Sequence, residues 1–247
     1  MTNATLVGID CATDPRKVGL ALAKCARGVT TLLDVRLGSP AALPEDVVAG
    51  WIAAHAGPVL LALDAPLGWP APLGAALVTH HAGAPLDADA HMLFRRETDR
   101  FVKRVLGKQS LDVGADRIAR TAHAALGLID RVGTALHQTV PLAWTPHGVG
   151  VRAIEVYPAA TLRAYGLDAS GYKQADNVAA RARLVDALGA HFTIEVSRDL
   201  LAATDHALDA AVCVLAGHDF LSGTAIPPEN PGLATVEGWI WVRAPQP

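Results

Sequence analysis

Four carboxylates stand where burial disfavours them. Asp10 follows the apolar run Leu6-Val7-Gly8-Ile9, and Asp64 ends Val59-Leu60-Leu61-Ala62-Leu63. Glu155 follows Val151-Arg152-Ala153-Ile154, and Asp209 sits in the apolar stretch 207–215. Ionised carboxylates are seldom buried unless they are paired or ligate a metal. Residues at the carboxyl ends of neighbouring strands converge on one crevice. Asp205 lies one turn before Asp209, so a helix would present both on one face. Carboxylates brought together in a low-dielectric pocket repel, and a divalent cation removes that conflict. Hard oxygen ligands select Mg²⁺ or Mn²⁺ over zinc. Two such ions about 4 Å apart stabilise the attacking water and the leaving oxygen of a phosphodiester. The expected metal ligands are Asp10, Asp64, Asp209 and Asp205, and the expected catalytic acids are Asp10, Asp64, Glu155 and Asp209. Each acid also has an ordinary explanation. Asp64 would cap the turn before Pro66, Glu155 would pair with Arg152 or Arg163, and Asp205 would suit the positive end of its helix. Asp209, with apolar neighbours on every side, is the hardest to explain that way.

Cations cluster elsewhere. Between residues 94 and 120 stand Arg95, Arg96, Arg100, Lys103, Arg104, Lys108, Arg117 and Arg120. Against them are Glu97, Asp99, Asp112 and Asp116; eight minus four gives +4, in a chain whose net charge is −3. A solvated helix face laced with i,i+4 ion pairs explains this. The functional alternative is a phosphate-contacting patch of Arg95, Arg96, Arg100, Lys108 and Arg117. Lys17, in a polar turn after Asp10, is a further candidate contact. The ten histidines show no zinc spacing, and surface or core roles suit them, with His206 beside the acids the exception. Trp239 and Trp241 alternate as residues packing a strand do.

The bulk properties narrow the classes. A chain of 247 residues, 51% hydrophobic, suits one α/β domain with an insertion and a sizeable core. The net charge excludes a globally basic nucleic-acid binder, so any DNA or RNA contact needs a local patch. Three scattered cysteines suggest neither a disulfide framework nor a zinc site, and a reducing cytoplasm is expected. No signal peptide and no membrane span are expected.

The elements that would position the acids follow from apolar patterning. Residues 4–11, 17–24 and 28–35 predict an antiparallel meander, with positive φ at Gly28. A helix follows over 44–55, then a central strand over 59–64 buried on both faces. Helices are expected over 71–81, 94–105 and 116–132, and a strand over 151–156. Pro158 opens a helix, and another follows over 179–188. Residues 192–196 suggest a short strand, with Ser197 a candidate N-cap. The helix from Asp205 is apolar nearly all round and should be buried. A last strand is expected over 237–242.

The segments GIDCATDPRKVGLAL, LDAPLG, RRETDR, SLDVGADRIARTA, IEVYPAATLRAYGL, DHALDAAVCVL and EGWIWVR occur in that order. Together they resemble the family catalogued as domain of unknown function 429. The resemblance spans nearly the whole chain. It implies a nuclease with a ribonuclease H-like fold: a mixed sheet ordered 3-2-1-4-5 with helices on both faces. In that family's pattern Asp10 matches the acid of the first strand and Asp64 that of the fourth. Asp209, or less well Asp205, matches the acid of the last helix, and Glu155 a further acidic position. A helical insertion over about 70–150 departs from the minimal core of that fold. The leading expectation is a metal-dependent phosphodiester hydrolase acting on nucleic acid. The alternatives are a nucleotide-dependent phosphotransferase of the actin and sugar-kinase type and a non-catalytic binding domain. The former usually needs a second lobe and a Gly-rich adenosine loop, which this chain lacks.

Overall fold

The computed structural model describes residues 3–114 and 116–245. Strands β1 (Ala4–Asp10), β2 (Gly19–Ala26) and β3 (Val29–Leu37) open the chain. Each pairs antiparallel with the next. Arg27 and Gly28, which join β2 to β3, have φ of 52° and 82°, the left-handed geometry that matches a tight hairpin to strand twist. Helix α1 (Pro44–Ala53) leads to β4 (Val59–Asp64), which pairs parallel with β1. Among the described residues, four helices separate β4 from β5 (Val151–Glu155). They are α2 (Ala71–Leu77), α3 (Ala90–Phe94), α4 (Glu97–Leu106) and α5 (Asp116–Ala135). Then come α6 (Pro158–Ala164), α7 (Val178–Leu188), β6 (Thr193–Ile194) and α8 (Arg198–Ala203). Helices α9 (Asp205–Ser222) and α10 (Pro231–Glu237) finish the chain.

The result is a mixed α/β fold. Its six strands are ordered β5-β4-β1-β2-β3-β6, with β6 a short parallel addition beside β3. Strand alternation sorts the side chains into two cores. Leu6, Leu60 and Ala62 pack with α9, while Val7, Ile9, Leu61 and Leu63 pack on the opposite face with residues of α1 and α5. Period two therefore turns Asp10 and Asp64 toward the α9 face.

Helix α9 lies unusually close to the sheet. A Cβ on Gly8 would meet the Ala210 carbonyl oxygen at 2.0 Å, and one on Gly19 the His206 carbonyl oxygen at 2.0 Å. Glycine is needed at both places because the helix backbone occupies the space of a side chain.

Two expectations need correction. The helix over 94–105 is broken at Arg95-Arg96, where Arg96 is extended and serves as the N-cap of α4. The segment 237–242 makes one isolated bridge, Glu155 with Ile240, and Arg243 just beyond it bridges Ala225, because α10 runs through Glu237 and Gly238 turns with φ 81°. Trp239 and Trp241 still pack inward, against Phe101 and Phe220. Among the described residues no helix is long and apolar enough to cross a membrane.

Candidate metal centre

Asp10 and Asp64 are register partners at the tips of β1 and β4. Parallel pairing and equal parity bring their side chains to one point. Asp209 comes down from α9 to meet them, and one carboxylate oxygen from each lies within 4.8 Å of the others. Asp10 and Asp209 are buried, and Asp64 is half-buried at the floor of a cleft.

Each acid has a different environment. Asp10 Oδ2 lies 2.6 Å from His206 Nδ1. Asp209 Oδ1 accepts from the Tyr172 hydroxyl at 2.8 Å, and its Oδ2 lies 2.7 Å from Lys173 Nζ. Asp64 accepts no hydrogen bond among the described residues. Burial pushes all three carboxyls up. Asp64 is pushed well above its ordinary value by burial, with the charges of Asp10 and Asp209 adding to it. Asp209 is held at about 6, burial prevailing over the pull of Lys173. Asp10 is raised by burial against the opposing hydrogen bond from His206. His206 in turn is raised, chiefly by its bond to Asp10.

The chemistry of the donor set fits a divalent cation. Three hard oxygen donors converge, one of them lacks any donor partner, and Lys173 and His206 offset only part of the charge. The site opens into a cleft of about 550 Å³ whose lining includes Asp64, Lys108, Arg117 and Lys173, together with the ion-paired Arg96, Asp99 and Glu155. Beside it runs a larger trough of about 980 Å³, which holds none of the three acids but shares Lys108, Ala159 and Lys173 with the first.

The other expected residues are placed differently. Glu155 does not join the cluster. It pairs in register with Leu63, whose side chain faces the α1 and α5 side, so parity turns Glu155 away from Asp64. Its oxygens instead take the Arg96 guanidinium at 2.7 and 2.8 Å and the Leu67 amide at 2.9 Å. Asp205 is the first residue of α9, one turn beyond the strand tips, and is not one of the three acids. Its charge reaches Asp10 only through space.

Arg96 lies in the wall of that cleft but is committed inward. It is 1% exposed, and its guanidinium bonds Asp99, Glu155 and the Glu237 carbonyl. Arg95 pairs with Asp112, and Arg100 bonds the carbonyls of Arg95 and His91. Lys17 is exposed on its turn and is not among the residues lining either cleft. Lys108 and Arg117 do line the smaller cleft. Lys173 and Tyr172 were illegible in the sequence: one lysine in a loop between helices carries no signal.

The chain belongs to a family. The model of the family described as protein of unknown function DUF429 matches residues 8–232, a span that includes Asp10, Asp64 and Asp209. Among curated proteins and among solved structures, none matches.

Proposed function

We propose that this DUF429 member is a divalent-cation-dependent phosphodiester hydrolase of nuclease type, with a ribonuclease H-like arrangement of its sheet. The observation that carries the reading is the meeting of Asp10, Asp64 and Asp209 within 4.8 Å. The adjacency of β3, β2, β1, β4 and β5, with acids at the tips of β1 and β4 and a third on α9, supports the fold assignment. Asp10, Asp64 and Asp209 would hold one Mg²⁺ or Mn²⁺; Glu155, committed to Arg96, contributes no ligand. Such an ion, when bound, polarises a phosphoryl oxygen and lowers the pKa of a bound water. The protein's own residues then bind and orient. Lys108 and Arg117 place the phosphates flanking the reacting one, as charged donors do for any sequence. Leu111, 69% exposed, and Ile118 offer apolar surface to a base. Asp10 fixes the His206 ring through Nδ1, leaving Nε2 without a protein partner among the described residues. Free thiols at Cys11, Cys25 and Cys213 suit a reducing cytoplasm.

The test uses the full chain. Millimolar Mn²⁺ raises the melting temperature of the wild type, as any ligand of the folded state does, and the wild type cleaves a single-stranded oligonucleotide in Mn²⁺. Asp64→Asn loses both effects. Cleavage undiminished in Asp10→Asn would sink the assignment.

A further inference from the structure

Lys173 sits where a bound cation would have to compete with it. Its Nζ lies 2.7 Å from Asp209 Oδ2, and the Tyr172 hydroxyl holds the other oxygen at 2.8 Å. Both oxygens of Asp209 are therefore taken. An ammonium and a divalent cation cannot share one buried carboxylate oxygen without strong repulsion. A neutral hydroxyl can stay on a ligating carboxylate, so the Lys173 ammonium is the partner that conflicts with a cation at Asp209.

The surroundings leave Lys173 room to move and hold Tyr172 in place. Tyr172 is 4% exposed, and its loop is pinned by Arg181, itself 1% exposed. The Arg181 guanidinium has no carboxylate partner among the described residues. It donates to the carbonyls of Tyr172, Gln174 and Ala175 on one side and of Ala202 and Ala203 on the other. That clamp ties the loop carrying Lys173 to the residues that lead directly into α9. The backbone on either side of the Lys173–Asp209 contact is fixed, and Tyr172 with it. Lys173 is different: its side chain is 54% exposed, its four-carbon stem rotates freely, and it borders both clefts.

We propose that Lys173 is the built-in counter-ion of the carboxylate cluster. With a divalent cation held by the carboxylates, the Lys173 ammonium would leave Asp209 and turn into the cleft, where it would take a substrate phosphate. This rests on the metal-dependent reading above. Metal occupancy and phosphate binding are then coupled through one side chain, with no movement of the loop.

Calorimetric titration of Mn²⁺ into the metal-free full chain tests this. Lys173→Met binds Mn²⁺ about tenfold tighter than the wild type or more, the scale of one charged hydrogen bond. Lys173→Arg keeps a cation at the same place and binds like the wild type. Lys108→Met removes an equal charge from the cleft without touching Asp209, and changes Mn²⁺ affinity less than about threefold, as screened charges at a distance do. In the presence of Mn²⁺, Lys173→Met binds a non-hydrolysable phosphorothioate oligonucleotide about tenfold more weakly, as loss of a charged phosphate contact requires. Lys173→Gln serves if the methionine variant is insoluble. Equal or weaker Mn²⁺ binding by Lys173→Met, or an equal gain in Lys108→Met, overturns the displacement while leaving the metal centre standing. Absence of Mn²⁺ binding in every variant, wild type included, removes the metal centre itself and this inference with it.

Discussion

Asp209 shows what three converging carboxylates do to a protein without a cation. Its carboxyl is held at about 6, with burial the main cause, against an ordinary value near 4. A folded-state pKa above the unfolded one means the folded protein binds the proton more tightly. The stability this supplies is present below about pH 4 and is lost as pH rises through about 6. The loss amounts to about 3 kcal/mol for Asp209 alone. Asp10 and Asp64 shift in the same direction, as does His206. In the metal-free protein, Asp209→Asn removes this loss, so its melting temperature should pull ahead of the wild type's between pH 4 and pH 7. The expected lead is roughly 6–12 °C for a chain of this size. Adding Mn²⁺ reverses the order, because the cation binds only ionised carboxylates. A difference between the two proteins that stays flat across that range in metal-free buffer would refute the account. Reading the sequence at this scale worked for acids embedded in apolar runs, since a buried charge is anomalous in itself. It failed for Glu155, because strand-end position was read without the parity that turns the side chain to the other face. It failed for Arg96 as well. A run of mixed charges looks like a wetted helix until a partner 59 residues away draws one guanidinium inside.

At the scale of elements, the site depends on how closely α9 approaches β1 and β2. Nothing in the apolar pattern of α9 announces that approach; it is written in Gly8 and Gly19, which the strand pattern alone would pass over. Gly19→Ala must push the His206 carbonyl away from a 2.0 Å overlap. That moves the first turns of α9, which carry His206 and Asp209. The expected cost exceeds about 3 kcal/mol, with backbone strain and a disturbed core both contributing. Mn²⁺ affinity should fall with it. Gly50→Ala is the matched control: Gly50 is exposed within α1, and an added Cβ there meets nothing within 4 Å. Helix propensity then stabilises that variant by about 0.5–1 kcal/mol. Thermal melts of the two variants in metal-free buffer make the comparison, and similar melting temperatures would mean that α9 is not held by this contact. The strands β1 to β4 were legible because their apolar runs are long and their turns are marked by Gly, Pro and Asp. The 237–242 segment was misread because tryptophans that alternate inward look the same whether or not a neighbouring strand pairs with them.

Across the whole molecule, a net charge of −3 must be reconciled with the polyanionic substrate proposed above. Part of the positive charge between residues 94 and 120 is paired within the protein. Arg95 goes to Asp112, Arg96 to Asp99 and Glu155, and Arg104 to Glu229. Lys108, Arg117 and Lys173 line the cleft, and in the proposed cation-bound state Lys173 would be free to meet a phosphate. A single strand seated there would release counter-ions from about three phosphates, which sets the slope of log affinity against log salt near −2. Anisotropy measurements with the wild-type chain and a labelled, non-hydrolysable phosphorothioate single strand, in Mn²⁺ at rising salt, give this slope directly. Replacing Lys108 and Arg117 by alanine together should flatten it to about −0.7, one phosphate's share. A wild-type slope near zero would mean that the cleft holds no polyanion. A slope much steeper than about −5, more phosphates than this cleft has cations to meet, would place the nucleic acid on some other face of the protein.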